Sequence, residues 1–63
     1  MSPQKRRKTI LAALRNLGGQ ATTREIAMAT NLNVNGVSQT LGSMVGQVTC
    51  LGGRGGDTKW KLE

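Results

Sequence analysis

Four basic side chains stand in a row at Lys5-Arg6-Arg7-Lys8, and Arg15 and Arg24 follow before the first acid in the chain. Such side chains suit a polyanion, because each can neutralise a phosphate and release its counterion. A second set carries no charge. Asn35 and Gln39 lie four residues apart, and each amide donates and accepts at once, the pattern that pairs with adenine in a duplex groove. Ser43 follows at a further four and can meet several bases. Arg54 stands alone among the glycines of Gly52-Gly53-Arg54-Gly55-Gly56, where it can enter a minor groove or sit on phosphate.

Groups suited to catalysis are scarce. The chain has no His, which removes the commonest proton shuttle and metal ligand. Glu25, Asp57 and Glu63 are the only carboxylates, and nothing pairs them for acid–base work. Cys50 is the single cysteine, so an internal disulfide is impossible, and it is expected to pack as a small apolar residue. Gly52 to Lys59 lacks the Gly-Lys-Ser/Thr ending of a phosphate-binding loop and lies between expected strands. Trp60 is expected to anchor the core. Without Phe or Tyr beside it, a stacking platform for single strands is not expected. No enzyme activity, metal or cofactor is therefore expected.

The balance of charge sharpens the choice. Nine Lys and Arg against three Asp and Glu give +6 at neutral pH, with an isoelectric point near 11.0. Lys5, Arg6, Arg7, Lys8, Arg15 and Arg24 account for all of it, since Arg54, Lys59 and Lys61 offset Glu25, Asp57 and Glu63. Surplus charge confined to one third of a chain points to nucleic acid ahead of anionic lipid. A solvated basic terminus is the plainer alternative. No run approaches the roughly 20 apolar residues of a membrane span. The basic start also lacks the apolar stretch of a secretory signal, so a cytoplasmic setting is expected (nucleoid-associated if the source is bacterial), with no secretion and no membrane partner.

The elements that must position these residues follow from local signals. One domain over 1–63 is expected, with 1–8 as a basic, partly flexible segment. Ser2-Pro3 opens a helix over about 3–17, with Ile10, Leu11, Leu14 and Leu17 on one stripe and Gly18-Gly19 as its stop. Gln20-Ala21 is short enough to serve only as a strand against one edge of a later hairpin. Thr22-Thr23-Arg24-Glu25 fits a capping box for a second helix ending near Thr30. The dipole and free N–H groups at that helix start make Arg24 a candidate for phosphate.

Asn31-Leu32-Asn33 reads as a tight turn with Asn33 capping a third helix over 33–45. Val37, Leu41, Met44 and Val45 fall in its inward arc, and Val34 lies at the edge. Asn35-Gly36 is also a hairpin signal, but strand alternation fails after Val37 and the helix is preferred. Gly36 and Gly42 cost that helix about 1 kcal/mol each relative to alanine, and they allow close backbone approach to a ligand. Gly46 is read as the helix end. Strands at 47–51 and 58–62 then form a hairpin with a flexible tip, and Lys59 and Lys61 are read as guards on an edge strand.

Helix, short strand, helix, three-residue turn, helix and hairpin make an α+β, mainly helical order that resembles a winged helix-turn-helix domain of the MarR-type and PapI-like bacterial regulators. The carriers are Thr23-Arg24-Glu25-Ile26-Ala27, Leu32-Asn33-Val34-Asn35-Gly36-Val37-Ser38-Gln39-Thr40-Leu41 and Thr58-Lys59-Trp60-Lys61-Leu62. The resemblance spans Ile10 to Leu62. It implies three helices, a short strand and a C-terminal β-hairpin wing, with double-stranded DNA as partner and transcriptional regulation as role. The candidate contact set is Arg24, Val34, Asn35, Gly36, Ser38, Gln39, Ser43 and Arg54, with Lys5, Arg6, Arg7 and Lys8 on the backbone. A homodimer or a larger parent protein would supply the second half of a symmetric site. The left-handed-DNA-binding Z-alpha domains share the Glu-Ile-Ala run and the late Trp. Ser38 and Gly42 stand where they carry asparagine and tyrosine, and Asp57-Thr58 where they carry paired prolines. The alternatives are a protein-interaction module with the same fold, or RNA binding suggested by Arg54-Gly55-Gly56.

Overall fold

The computed structural model describes residues 2–63, so Met1 of the basic segment lies outside it. Helix α1 spans Pro3–Asn16, with the Ser2 hydroxyl accepting from the Lys5 N–H at 3.3 Å and proline in its first turn. The basic residues at 5–8 lie within this helix. Ile10, Ala13 and Leu14 face the core. Leu17, expected on that stripe, is 40% exposed because it lies past the last helical residue. Gly18 and Gly19 turn the chain at φ of 93° and 87°, a region that side chains with a Cβ rarely enter.

Strand β1 (Gln20–Thr22) leads directly into α2 (Thr23–Thr30). The capping box is complete: the Glu25 N–H donates to the Thr22 hydroxyl at 3.1 Å, and the Thr22 N–H donates to the Glu25 carboxylate at 2.8 Å. Asn31 ends α2 in the left-handed region at φ 59°. Helix α3 spans Val34–Gly42, and the Asn33 side chain accepts from the Asn35 N–H at 2.8 Å. Asn35-Gly36 thus occupies the first helical turn rather than a hairpin.

Helix α3 stops earlier than its apolar spacing suggests. Ser43 is its C-cap, and Gly46, at φ 92°, sits in the turn beyond. Met44 remains buried, but Val45 is 89% exposed. Helical spacing places side chains only while the backbone stays helical, so Val45 escapes the arc assigned to it.

Strands β2 (Val48–Gly52) and β3 (Lys59–Leu62) pair antiparallel, and β1 adds to the other side of β3, giving the order β1-β3-β2. Strand β3 is therefore central. Lys59 and Lys61 lie on the exposed face of a middle strand and do not guard an edge. Helix α1 packs on β1 and β3 and α2 packs on β1, while in β2 only Val48 is buried. Cys50 pairs in register with Trp60 but is exposed, because no helix reaches that far across the sheet. This corrects its expected burial.

One apolar cluster joins every layer: Ile10 and Leu14 from α1, Ile26 from α2, Val37 and Leu41 from α3, and Trp60 from β3. The one buried polar residue among the described residues, Thr23, lies at the joint of helix and sheet. Its hydroxyl accepts from the Trp60 indole N–H at 2.8 Å, and its backbone N–H donates to the Thr58 carbonyl at 2.9 Å. Among the described residues no buried side-chain nitrogen or oxygen lacks a hydrogen-bond partner.

Candidate nucleic-acid interface

The outward side of α3 is set by what its inner side buries. Val37 and Leu41 are 0% and 1% exposed, which turns Asn35 and Gln39 to solvent together with Gly42 and Ser43. Val34, Gly36 and Ser38 are half-buried along the rim of this face. The Ser43 hydroxyl donates to the Thr40 carbonyl at 2.7 Å, which leaves its lone pairs for another donor. The face carries amide and hydroxyl groups and no charge.

Positive charge reaches α3 from α1. An Arg6 guanidinium nitrogen lies 4.0 Å from where a Cβ on Gly36 would stand, so a cation borders the first turn of α3. Arg6 is half-buried there, while Lys5, Arg7 and Lys8 are exposed around the same end of α1. Nothing local in the sequence signals this approach, since 30 residues separate Arg6 from Gly36.

At the start of α2, where Arg24 stands, three neighbouring backbone N–H groups are engaged within the fold. The Thr22 and Glu25 N–H groups are spent in the capping box, and the Thr23 N–H is spent on Thr58. The Glu25 carboxylate also occupies that end of the helix. The Thr22 backbone N–H, and next its hydroxyl, hold the Glu25 carboxyl below its ordinary pKa against a small opposing effect of burial. The nearby Lys59 charge adds to the lowering. Arg24 itself forms an ion pair with Asp57 at 2.9 Å, with the two side chains 59% and 72% exposed.

The hairpin tip contains a folded turn. Residues Gly55–Asp57 form a single 3-10 turn (η1), and the Asp57 N–H donates to the Arg54 carbonyl at 2.9 Å. Gly53, at φ 122°, is required: a Cβ there would lie 2.5 Å from the Asp57 carbonyl oxygen. The turn rests against both α2 and α3, and exposed Arg54 directly precedes it in the chain. Arg6 thus borders α3, and the turn that follows Arg54 packs on the α2–α3 pair.

A second exposed feature lies elsewhere. An open groove of about 430 Å³ is lined by Leu41, Gly42, Val45, Val48, Cys50 and Trp60. It is bordered by residues that sequence spacing had placed in the interior, so it was not foreseen. Among the described residues, no group of His, Cys, Asp and Glu is clustered to hold a metal, and no helix is long and apolar enough to cross a membrane.

No protein-family profile matches the chain, and no curated protein or solved structure shows significant similarity to it.

Proposed function

We propose that this chain is a winged helix-turn-helix module that binds double-stranded DNA. Helix α3 enters the major groove and the β2–β3 hairpin serves as the wing. The observation that carries the reading is the composition of the exposed α3 face: Asn35 and Gln39 one turn apart, without charge, with Arg6 at the helix start and Arg54 on the adjacent tip. A major groove about 12 Å wide accepts one helix, and amides projecting from it can form paired bonds with adenine. Attraction to phosphate falls to flanking cations, since α3 has none of its own.

A fluorescent duplex titrated at several salt concentrations tests this reading. With about four to six phosphate contacts, log K should fall against log salt with a slope near −4 to −5. A slope near zero, or no binding, contradicts it. Transcriptional regulation is the role that such a module would serve, and two copies on a palindromic site are the expected arrangement.

A protein-interaction role is favoured by a different observation, the exposure of Val45 beside the apolar groove. The occupant in that reading is a second copy of the chain. Val45→Ser should then abolish a concentration-dependent dimer in sedimentation while leaving the α3 face intact.

A further inference from the structure

We propose that Arg24, Gly56 and Asp57 form a clamp that positions the hairpin tip, so that Arg54 meets the duplex at a fixed place beside α3. The proposal rests on the DNA reading above and gives Arg24 a different task from phosphate contact. Its basis is the way the tip is tied to α2 at two successive residues. Thr58 is held through its carbonyl by the Thr23 N–H and hydroxyl, at 2.9 and 3.3 Å. Asp57 is held through its carboxylate by Arg24 at 2.9 Å. The Asp57 N–H in turn donates to the Arg54 carbonyl, so fixing Asp57 fixes the backbone from which Arg54 projects.

Gly56 completes the device. A Cβ there would stand 3.0 Å from Nη2, 3.2 Å from Nε and 3.3 Å from Cζ of Arg24. The guanidinium therefore lies closely against bare backbone, and a methyl group would displace it. Gly56 does not have the positive φ that excludes other residues, so alanine fits the backbone and disturbs only the arginine.

Charge separates a clamp from a phosphate ligand. Arg24 and Asp57 sum to zero, so the pair adds little to long-range attraction for a polyanion. Replacing Asp57 by a neutral residue raises the net charge from +6 to +7, which on electrostatics alone tightens DNA binding. A clamp predicts the reverse, because a loosened tip must be ordered again on binding.

The test compares wild type, Asp57→Asn, Gly56→Ala, Arg54→Gln and the Asp57→Asn/Arg54→Gln double variant. Each is titrated with a fluorescent 20-base-pair duplex over a range of KCl concentrations. Amide hydrogen exchange is measured on each protein without DNA. Asp57→Asn and Gly56→Ala should accelerate exchange at the Asp57 and Thr58 amides and leave α3 protected. Both should bind the duplex about threefold to tenfold more weakly, with the salt slope reduced by about one contact. Arg54→Gln should weaken the wild type and have little further effect in the Asp57→Asn background.

Gly56→Ala leaves every charge in place, so a shared loss in both variants cannot come from charge. Binding by Asp57→Asn as tight as wild type or tighter overturns the clamp. Equal cost of Arg54→Gln in both backgrounds overturns it as well. Failure of the wild type to bind any duplex defeats the DNA reading instead, and the exchange rates then decide whether the tip is clamped.

Discussion

Thr23 and Arg24 are neighbours at the start of α2, and both hold the same hairpin, but by opposite means. Thr23 is fully buried, and its hydroxyl sits between the Trp60 indole and the Thr58 carbonyl. Arg24 reaches over the surface to Asp57 in an exposed ion pair. Losing one partner of a buried hydrogen bond costs about 1–3 kcal/mol, whereas an exposed ion pair contributes about 0–1 kcal/mol. The buried joint therefore decides whether the sheet stays on the helices. The exposed joint has little influence on stability, which leaves it free to set the direction of the tip.

Substitutions at the two joints should separate these roles. Trp60→Ala empties the centre of the buried joint and should cost about 3–5 kcal/mol. A domain of this size has a total stability of about 3–9 kcal/mol, so the variant should be largely unfolded by circular dichroism or close to it. Thr23→Val keeps the volume but leaves the Trp60 N–H without its acceptor, and a loss of about 1–3 kcal/mol is expected in urea denaturation. A loss as small as that of Asp57→Asn would erase the contrast. Thr22→Ala removes the cap behind both joints and should cost about 1 kcal/mol.

Acid titration sharpens the comparison further. Glu25 is held below its ordinary pKa of 4.5 in the folded chain, so its contribution is complete at neutral pH. That contribution should fade as pH drops below 4.5 through the lowered folded value. Glu25→Gln should flatten this limb of the stability–pH curve. The smallest effect belongs to Asp57→Asn, which should shift the urea midpoint by no more than about 0.5 kcal/mol in stability.

The parts of the fold legible in the sequence are those fixed by neighbours along the chain. Ser2, Thr22 and Asn33 cap their helices because a short polar side chain can reach an N–H two or three residues ahead. Trp60 and Leu62 alternate with Lys59 and Lys61 as strand geometry requires. The misread residues depend on where an element stops or what lies above it. Val45 and Leu17 sit just past helix ends, where a continued period no longer describes the backbone. Cys50 points to the side of the sheet that bears Trp60, yet no helix extends over it. Lys59 and Lys61 could be placed on a middle strand only by knowing that β1 pairs with β3.

The candidate interface divides along the same line. Asn35 and Gln39 were legible because helical spacing fixes one face once Val37 and Leu41 fix the other. Arg6 near Gly36 and Asp57 on Arg24 join residues 30 and 33 positions apart. No local pattern encodes such contacts, since they arise only when the core has brought the helices and the hairpin together.

The most direct test is a nitrogen-15 chemical-shift map of the labelled protein titrated with duplex DNA. Binding through the α3 face predicts the largest shifts at Asn35, Gly36, Gln39 and Ser43, with a second group at Arg54 and its turn. Shifts concentrated at Val45, Cys50 and the groove between them, or none at saturating duplex, would contradict it.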